Sequence, residues 1–126
     1  MAERTDRYRA FAAICARVDY ASRRSVREHN QASEQMRALV GEAYQAGPAA
    51  VAELIPLLDE PTADEWLAFQ LLDLGQPPVA TVERCLAIIR RKAAGSGPEA
   101  MGAEMWLRDW QTRHAEPGAA ADGGGK

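Results

Sequence analysis

LIPLLDEPTADEWLAFQLLDLG, residues 54–75, decides how this chain is read. A proline sits inside an apolar run, a short acidic turn follows, and then seven of the nine positions from Trp66 to Leu74 are apolar. A helix lying on a protein surface needs only a stripe of apolar residues facing inward. One that is apolar nearly all round must be covered by neighbours on most of its circumference. The stretch therefore predicts an inner helix, entered from an amphipathic one through a turn.

Working outward, the flanking punctuation predicts five or six helices and no sheet. Gly47 stops one helix, and Pro48 suits the first turn of the next, where its missing N–H needs no partner. Val51, Leu54, Ile55 and Leu58 then follow helical spacing, predicting a helix that runs through Pro56, bends there and ends at Asp59-Glu60-Pro61. Thr62 with Glu65 three residues on predicts a capping box, and Asp64 and Glu65 suit the positive end of the helix they open. Gly75 closes that helix and Pro77-Pro78 opens another, whose Val82, Cys85, Leu86 and Ile89 repeat the earlier template 31 residues later. Arg90, Arg91 and Lys92 complement the dipole at its end. A helix over 98–114 follows, with Trp106-Leu107 placed 40 residues after Trp66-Leu67.

Upstream, Thr5 and Asp6 are placed to cap a first helix carrying Tyr8, Phe11, Cys15 and Val18, ending near Tyr20. Ser22 or Ser25 starts a long second helix with His29, Ala32, Met36, Leu39, Val40, Ala43 and Tyr44 on one stripe. The expected architecture is all-α, an α-α superhelix of helix pairs 48–75 and 77–114, with 1–47 capping the stack and keeping its end polar. Trp66, Leu67, Leu71, Leu72, Leu86, Ile89, Trp106 and Leu107 are its expected core. Residues 1–116 form one domain in this reading, and 117–126, AEPGAAADGGGK less its first two residues, form a disordered tail.

At 126 residues the chain is long enough to fold on its own core. No run approaches the roughly 18–20 apolar residues of a membrane span, and the N-terminus lacks an apolar signal segment, which predicts a cytoplasmic protein. Cys15 and Cys85 lie far apart in apolar surroundings, so they read as buried thiols rather than as a disulfide or a zinc site. The net charge of −3 is unevenly spread. Between Arg37 and Arg84 there is no lysine or arginine, while Glu42, Glu53, Asp59, Glu60, Asp64, Glu65, Asp73 and Glu83 all fall there. Such a segment steers basic partners and repels phosphates, or simply forms a solvated face.

The pattern L-x-P-L-L-D-x-P followed by L-L-x-L-G, from Leu54 to Gly75, resembles a HEAT repeat unit. Where such repeats carry Val-Arg at the start of the second helix, this chain has Glu65-Trp66-Leu67. GAEMWLRDW, from Gly102 to Trp110, is similar to the close of a family of short bacterial proteins of unknown function with HEAT-like helices. The resemblance implies a helical-repeat fold and carries over no catalytic residue.

Searching for chemistry finds little. His29 lies on the Met36/Leu39 stripe and reads as a core or boundary histidine, His114 falls at a helix end, and the Asp59/Glu60 and Asp64/Glu65 pairs sit where capping explains them. No phosphate loop, G-x-S-x-G or HExxH motif occurs. No enzyme, metal or cofactor is implied. Three readings follow: a non-catalytic protein-binding module; an immunity protein whose acidic segment 42–83 covers a basic toxin site; and a HEAT-like nucleic-acid binder using Arg23, Arg24, Arg27, Arg90, Arg91 and Lys92. In the first, Asp59, Glu60, Asp64 and Glu65 are the candidate partner-binding residues, on an exposed connection, and the expected partner is a protein of basic character rather than a nucleic acid or a membrane.

Overall fold

The computed structural model describes residues 3–122, with side chains described as far as His114. Among the described residues there are six α-helices: α1 Glu3–Ala16, α2 Arg23–Ala46, α3 Pro48–Leu54, α4 Asp64–Leu74, α5 Val79–Ala93 and α6 Pro98–Asp122. A 3₁₀ helix, Ile55–Asp59, joins α3 to α4, and no strand occurs among the described residues. None of these helices is long and apolar enough to cross a membrane. The chain divides into two compact units, Met1–Ile88 and Ile89–Lys126.

In the first unit α4 is the inner element. Of its eleven residues only Asp73 is exposed; Leu67, Ala68 and Leu71 are completely buried, as the composition of this helix predicts. α2 and the 3₁₀ helix pack against it, and α1 lies on α2 and α3. Met36, Leu39, Val40 and Ala43 supply the α2 side of the core, and Tyr8 and Ala12 the α1 side. Polar fasteners cross this core. The Tyr8 hydroxyl donates to Gln70 Oε1 at 2.6 Å, satisfying a polar side chain in the middle of α4. Tyr44 of α2 donates to the Leu71 carbonyl at 2.6 Å. The Tyr44 ring lies so close to Gly75 that a β-carbon there would meet three ring atoms at 2.6–2.7 Å, which explains why glycine follows α4.

Several local expectations are corrected. The helix beginning at Pro48 does not bend through Pro56; it stops at Leu54 and tightens into a 3₁₀ turn, because Pro56 has no N–H to return to the carbonyl four residues back. Thr62 does not cap α4. The cap position is Ala63, without a side-chain bond, since Ala63 N and Asp64 N both turn back to the Glu60 carbonyl and set the helix start one residue later. α1 begins at Glu3, so Thr5 is inside it and instead donates to the Glu53 carbonyl at 3.0 Å, tying α1 to α3. It ends at Ala16, well before Tyr20. Ser22 is the α2 cap, accepting from Ser25 N.

In the second unit Ala100, Ala103 and Leu107 form the buried stripe of α6, and Ile89 is completely buried. Trp66 and Trp106, expected in the core, are half-buried. Each spends a ring face on another ring: Trp66 against His29 at 5.5 Å, and Trp106 against Trp110 at 6.3 Å. Helix α6 continues beyond His114 to Asp122, through Pro117-Gly118, where the composition predicts a break; residues 123–126 of the expected tail lie outside the described residues.

Burial pushes the Tyr8 phenol well above its ordinary range, so it stays a neutral donor to Gln70 at every pH of interest. Tyr8→Phe leaves Gln70 Oε1 buried without that donor and should cost about 1–3 kcal/mol, seen as a melting temperature lower by several degrees with an unchanged helical spectrum. An unaltered melting temperature would show that this bond contributes nothing.

Candidate functional site

The acidic turn between the 3₁₀ helix and α4 was the place to look for a negative surface. The fold brings Asp59 and Glu60 together there, each facing a guanidinium from elsewhere in the chain. Arg9 of α1 grips Glu60 with two bonds, Nε to Oε1 at 2.9 Å and Nη2 to Oε2 at 2.7 Å, and also holds Asp6 at 3.0 Å. Two parallel N–H···O bonds match the planar fork of arginine to the carboxylate, the strongest geometry such a pair adopts. Arg84 of α5 reaches Asp59 Oδ1 at 2.7 Å. Asp64 is buried, not exposed, because it lies at the first turn of the inner helix; its Oδ1 accepts from Glu65 N at 2.6 Å. Glu65 is half-buried.

The same pattern extends along the acidic segment. Arg4 lies 3.9 Å from Glu53, and Arg37 3.9 Å from Asp73. Four of the eight carboxylates between Arg37 and Arg84, namely Glu53, Asp59, Glu60 and Asp73, are thus answered by arginines drawn from outside that interval or from its two ends. The linear charge pattern overstates the negative field of the folded surface.

Two clefts in the first unit were not apparent in the sequence. One, about 380 Å³, is walled by Tyr44, Val51, Ala52, Ile55 and the prolines Pro48, Pro77 and Pro78 where α2, α3 and the α4–α5 connection meet. It is largely apolar, and the one phenol in its wall has its hydroxyl spent on Leu71. Burial, with a smaller contribution from the nearby Cys85, raises the Tyr44 phenol to about 12, so it stays uncharged. The prolines and the Ala-Ala-Val-Ala run signalled helix starts, but nothing local announced that they converge. The other, about 660 Å³, lies along α1 and α2 between Phe11, Ile14, Arg17, Glu28, Gln31 and Glu34.

Among the described residues, the cysteines and His29 stand in these surroundings. Cys15 is buried with Sγ 3.9 Å from Met36 Sδ, and Cys85 is also buried, its thiol raised to about 11 by desolvation; neither is a ready nucleophile. His29 lies between the Tyr20 and Trp66 rings, with Nδ1 buried and without a hydrogen-bond partner, so no group orients it as a base. No cluster of three or more histidine, cysteine or acidic side chains suited to a metal occurs among the described residues.

The Arg9 hydrogen bonds hold the Glu60 carboxyl below the ordinary glutamate value of 4.5. A lowered folded value means that the pair stabilises fully above that pH and loses its contribution as pH falls through the lowered value. Arg9→Gln should therefore melt below the parent by a constant margin from neutral pH to about 5, and the margin should close below about 4.5. A gap that persists unchanged in acid would assign the loss to packing of the arginine stem.

Comparison with protein-family models, with curated proteins and with solved structures gives no match for this chain, so its function is read from the residues described above.

Proposed function

We propose that the chain is a non-catalytic protein-binding module whose partner inserts an apolar anchor into the cleft walled by Tyr44, Val51, Ala52, Ile55, Pro77 and Pro78. The observation that carries this reading is the cleft's character. It is largely apolar, open to solvent and built mostly from rigid groups, three of them prolines; its polar lining is confined to Gln76 and Thr81, and its one phenol is spent on Leu71. A small polar ligand needs a few placed polar groups to fix its orientation. An apolar side chain from a protein surface needs only shape and desolvation, and rigid walls lower the ordering cost of receiving it. Val79, exposed at 74%, extends the apolar surface past Pro78.

A HEAT-like unit at residues 54–75 belongs to the same proposal. Its support is the proline that ends α3, the Asp59–Pro61 turn and the burial of the helix that follows. Helical-repeat proteins bind partners through such surfaces. A basic partner at the acidic turn is the second reading, favoured by Asp59, whose side chain is 76% exposed beside its Arg84 partner. An immunity protein would be the special case of that second reading.

The two readings separate on a pair of variants. Ala52 is exposed and lines the cleft, so Ala52→Glu places a charge in the anchor's path without disturbing the core. The expected result is that a partner captured by the parent binds the Ala52→Glu form at least about tenfold more weakly, at unchanged melting temperature, while Asp59→Lys binds normally. Loss of binding in Asp59→Lys alone, with increased salt sensitivity of the parent complex, would move the site to the acidic turn.

A further inference from the structure

Many cations of the described surface are already engaged, although Arg7, Arg90 and Arg108 are exposed without an ion pair among the described residues. Arg4, Arg9, Arg37, Arg84 and Arg113 each lie within 3.9 Å of a carboxylate, and Lys92 reaches Glu99 at 3.2 Å. The connection from α1 to α2 is different. Arg17, Arg23 and Arg27 are exposed and have no ion-pair partner among the described residues, and Arg24 meets only Glu28, at 3.5 Å with 85% of its own side chain exposed. Arg23 and Arg27 are one helical turn apart, so both project from the same face at the start of α2. The one carboxylate inside this stretch, Asp19, is exposed and accepts from Ala21 N at 3.0 Å.

Between Arg17 and Arg23 in the chain, three residues from each, stands Tyr20, 73% exposed. Its ring is not free to wander. It packs edge-on against His29 at 6.3 Å, and His29 in turn lies 5.5 Å from Trp66. A short aromatic run thus leads from Trp66 of α4 through His29 and ends in the exposed ring of Tyr20.

We propose that this connection is a contact site for single-stranded nucleic acid, with Arg17, Arg23 and Arg27 on phosphates and the Tyr20 ring as the platform for one base. Interleaved cations and an exposed flat ring are what sequence-tolerant single-strand binding uses. A membrane surface would call for a larger apolar face than one tyrosine, and α2 continues from here with Glu28, Gln31 and Glu34 rather than with apolar side chains. An acidic peptide would engage the arginines but would leave the ring unused. The net charge of −3 does not oppose local binding strongly, because charges more than a Debye length away, about 10 Å at 0.1 M salt, are largely screened. The site is separate from the apolar cleft and does not depend on the protein-binding reading.

The test is fluorescence anisotropy of a labelled oligothymidylate of about twelve nucleotides titrated with the full chain, beginning near 50 mM salt. Three phosphate contacts predict a log–log salt slope near −2, or about a 20-fold loss of affinity between 50 and 200 mM. The double variant Arg23→Gln/Arg27→Gln should lower the magnitude of that slope by about 1.4, and Tyr20→Ala should weaken binding about tenfold at unchanged slope. All these positions are exposed, and a thermal melt of each variant confirms that the fold is kept. Absence of binding at 50 mM salt overturns the proposal. So does a Tyr20→Ala form that binds like the parent, which would reduce the patch to a general polyanion contact, or equal binding to phosphatidylserine vesicles, which would make it a membrane contact.

Discussion

Burial of α4 is the constraint from which the rest of the first unit follows. A helix with one exposed residue in eleven cannot sit at an edge; α2 and the 3₁₀ helix pack against it, and Tyr8 reaches it from α1. That arrangement creates a difficulty at Gln70, whose amide is taken out of water in the middle of the helix. Tyr8 resolves it from sixty-two positions away, and the price is that α1 must lie with its first turns directly over α4. Thr5 bonding to the Glu53 carbonyl and Arg9 gripping Glu60 then follow on the same helix, at intervals that keep them on neighbouring faces. One amphipathic segment thus fastens the two halves of the proline-broken 48–59 segment and the inner helix beside it.

The charge distribution has the same logic. In the linear chain the carboxylates and the arginines are segregated, and that segregation reads as an acidic face awaiting a basic partner. Folding brings the two blocks together: Arg9 onto Glu60, Arg84 onto Asp59, Arg37 toward Asp73 and Arg4 toward Glu53. Exposed pairs of this kind contribute little to stability one by one. Their larger effect is on the surface potential, which they flatten around the acidic turn while leaving Arg17, Arg23 and Arg27 unanswered at the other end of α1.

Much of the fold was legible because helix starts and stops are local chemistry. Gly47-Pro48, Ser22 and the Pro77-Pro78 opening of α5 place boundaries that the structure keeps, and the density of apolar residues after Trp66 foretold an inner helix. What failed were cases in which a competing local bond decided the outcome. Pro56 ended a helix instead of bending it, and the Glu60 carbonyl took the turn that Thr62 was expected to cap. The candidate site was less legible still. Asp59 and Glu60 do lie together on the surface, but their partners come from α1 and α5, and no spacing rule foretells which arginine crosses to which carboxylate. The apolar cleft was invisible for the same reason, since its walls come from three segments.

Native-state hydrogen exchange tests the central place of α4 most directly. Because α2 and the 3₁₀ helix pack against it and Tyr8 reaches it from α1, the amides of Leu67, Ala68, Leu71 and Leu72 should exchange only when the whole unit unfolds, with the same denaturant dependence as global unfolding. Exchange of those amides through a smaller, denaturant-independent opening, ahead of the amides in the middle of α2, would contradict the account.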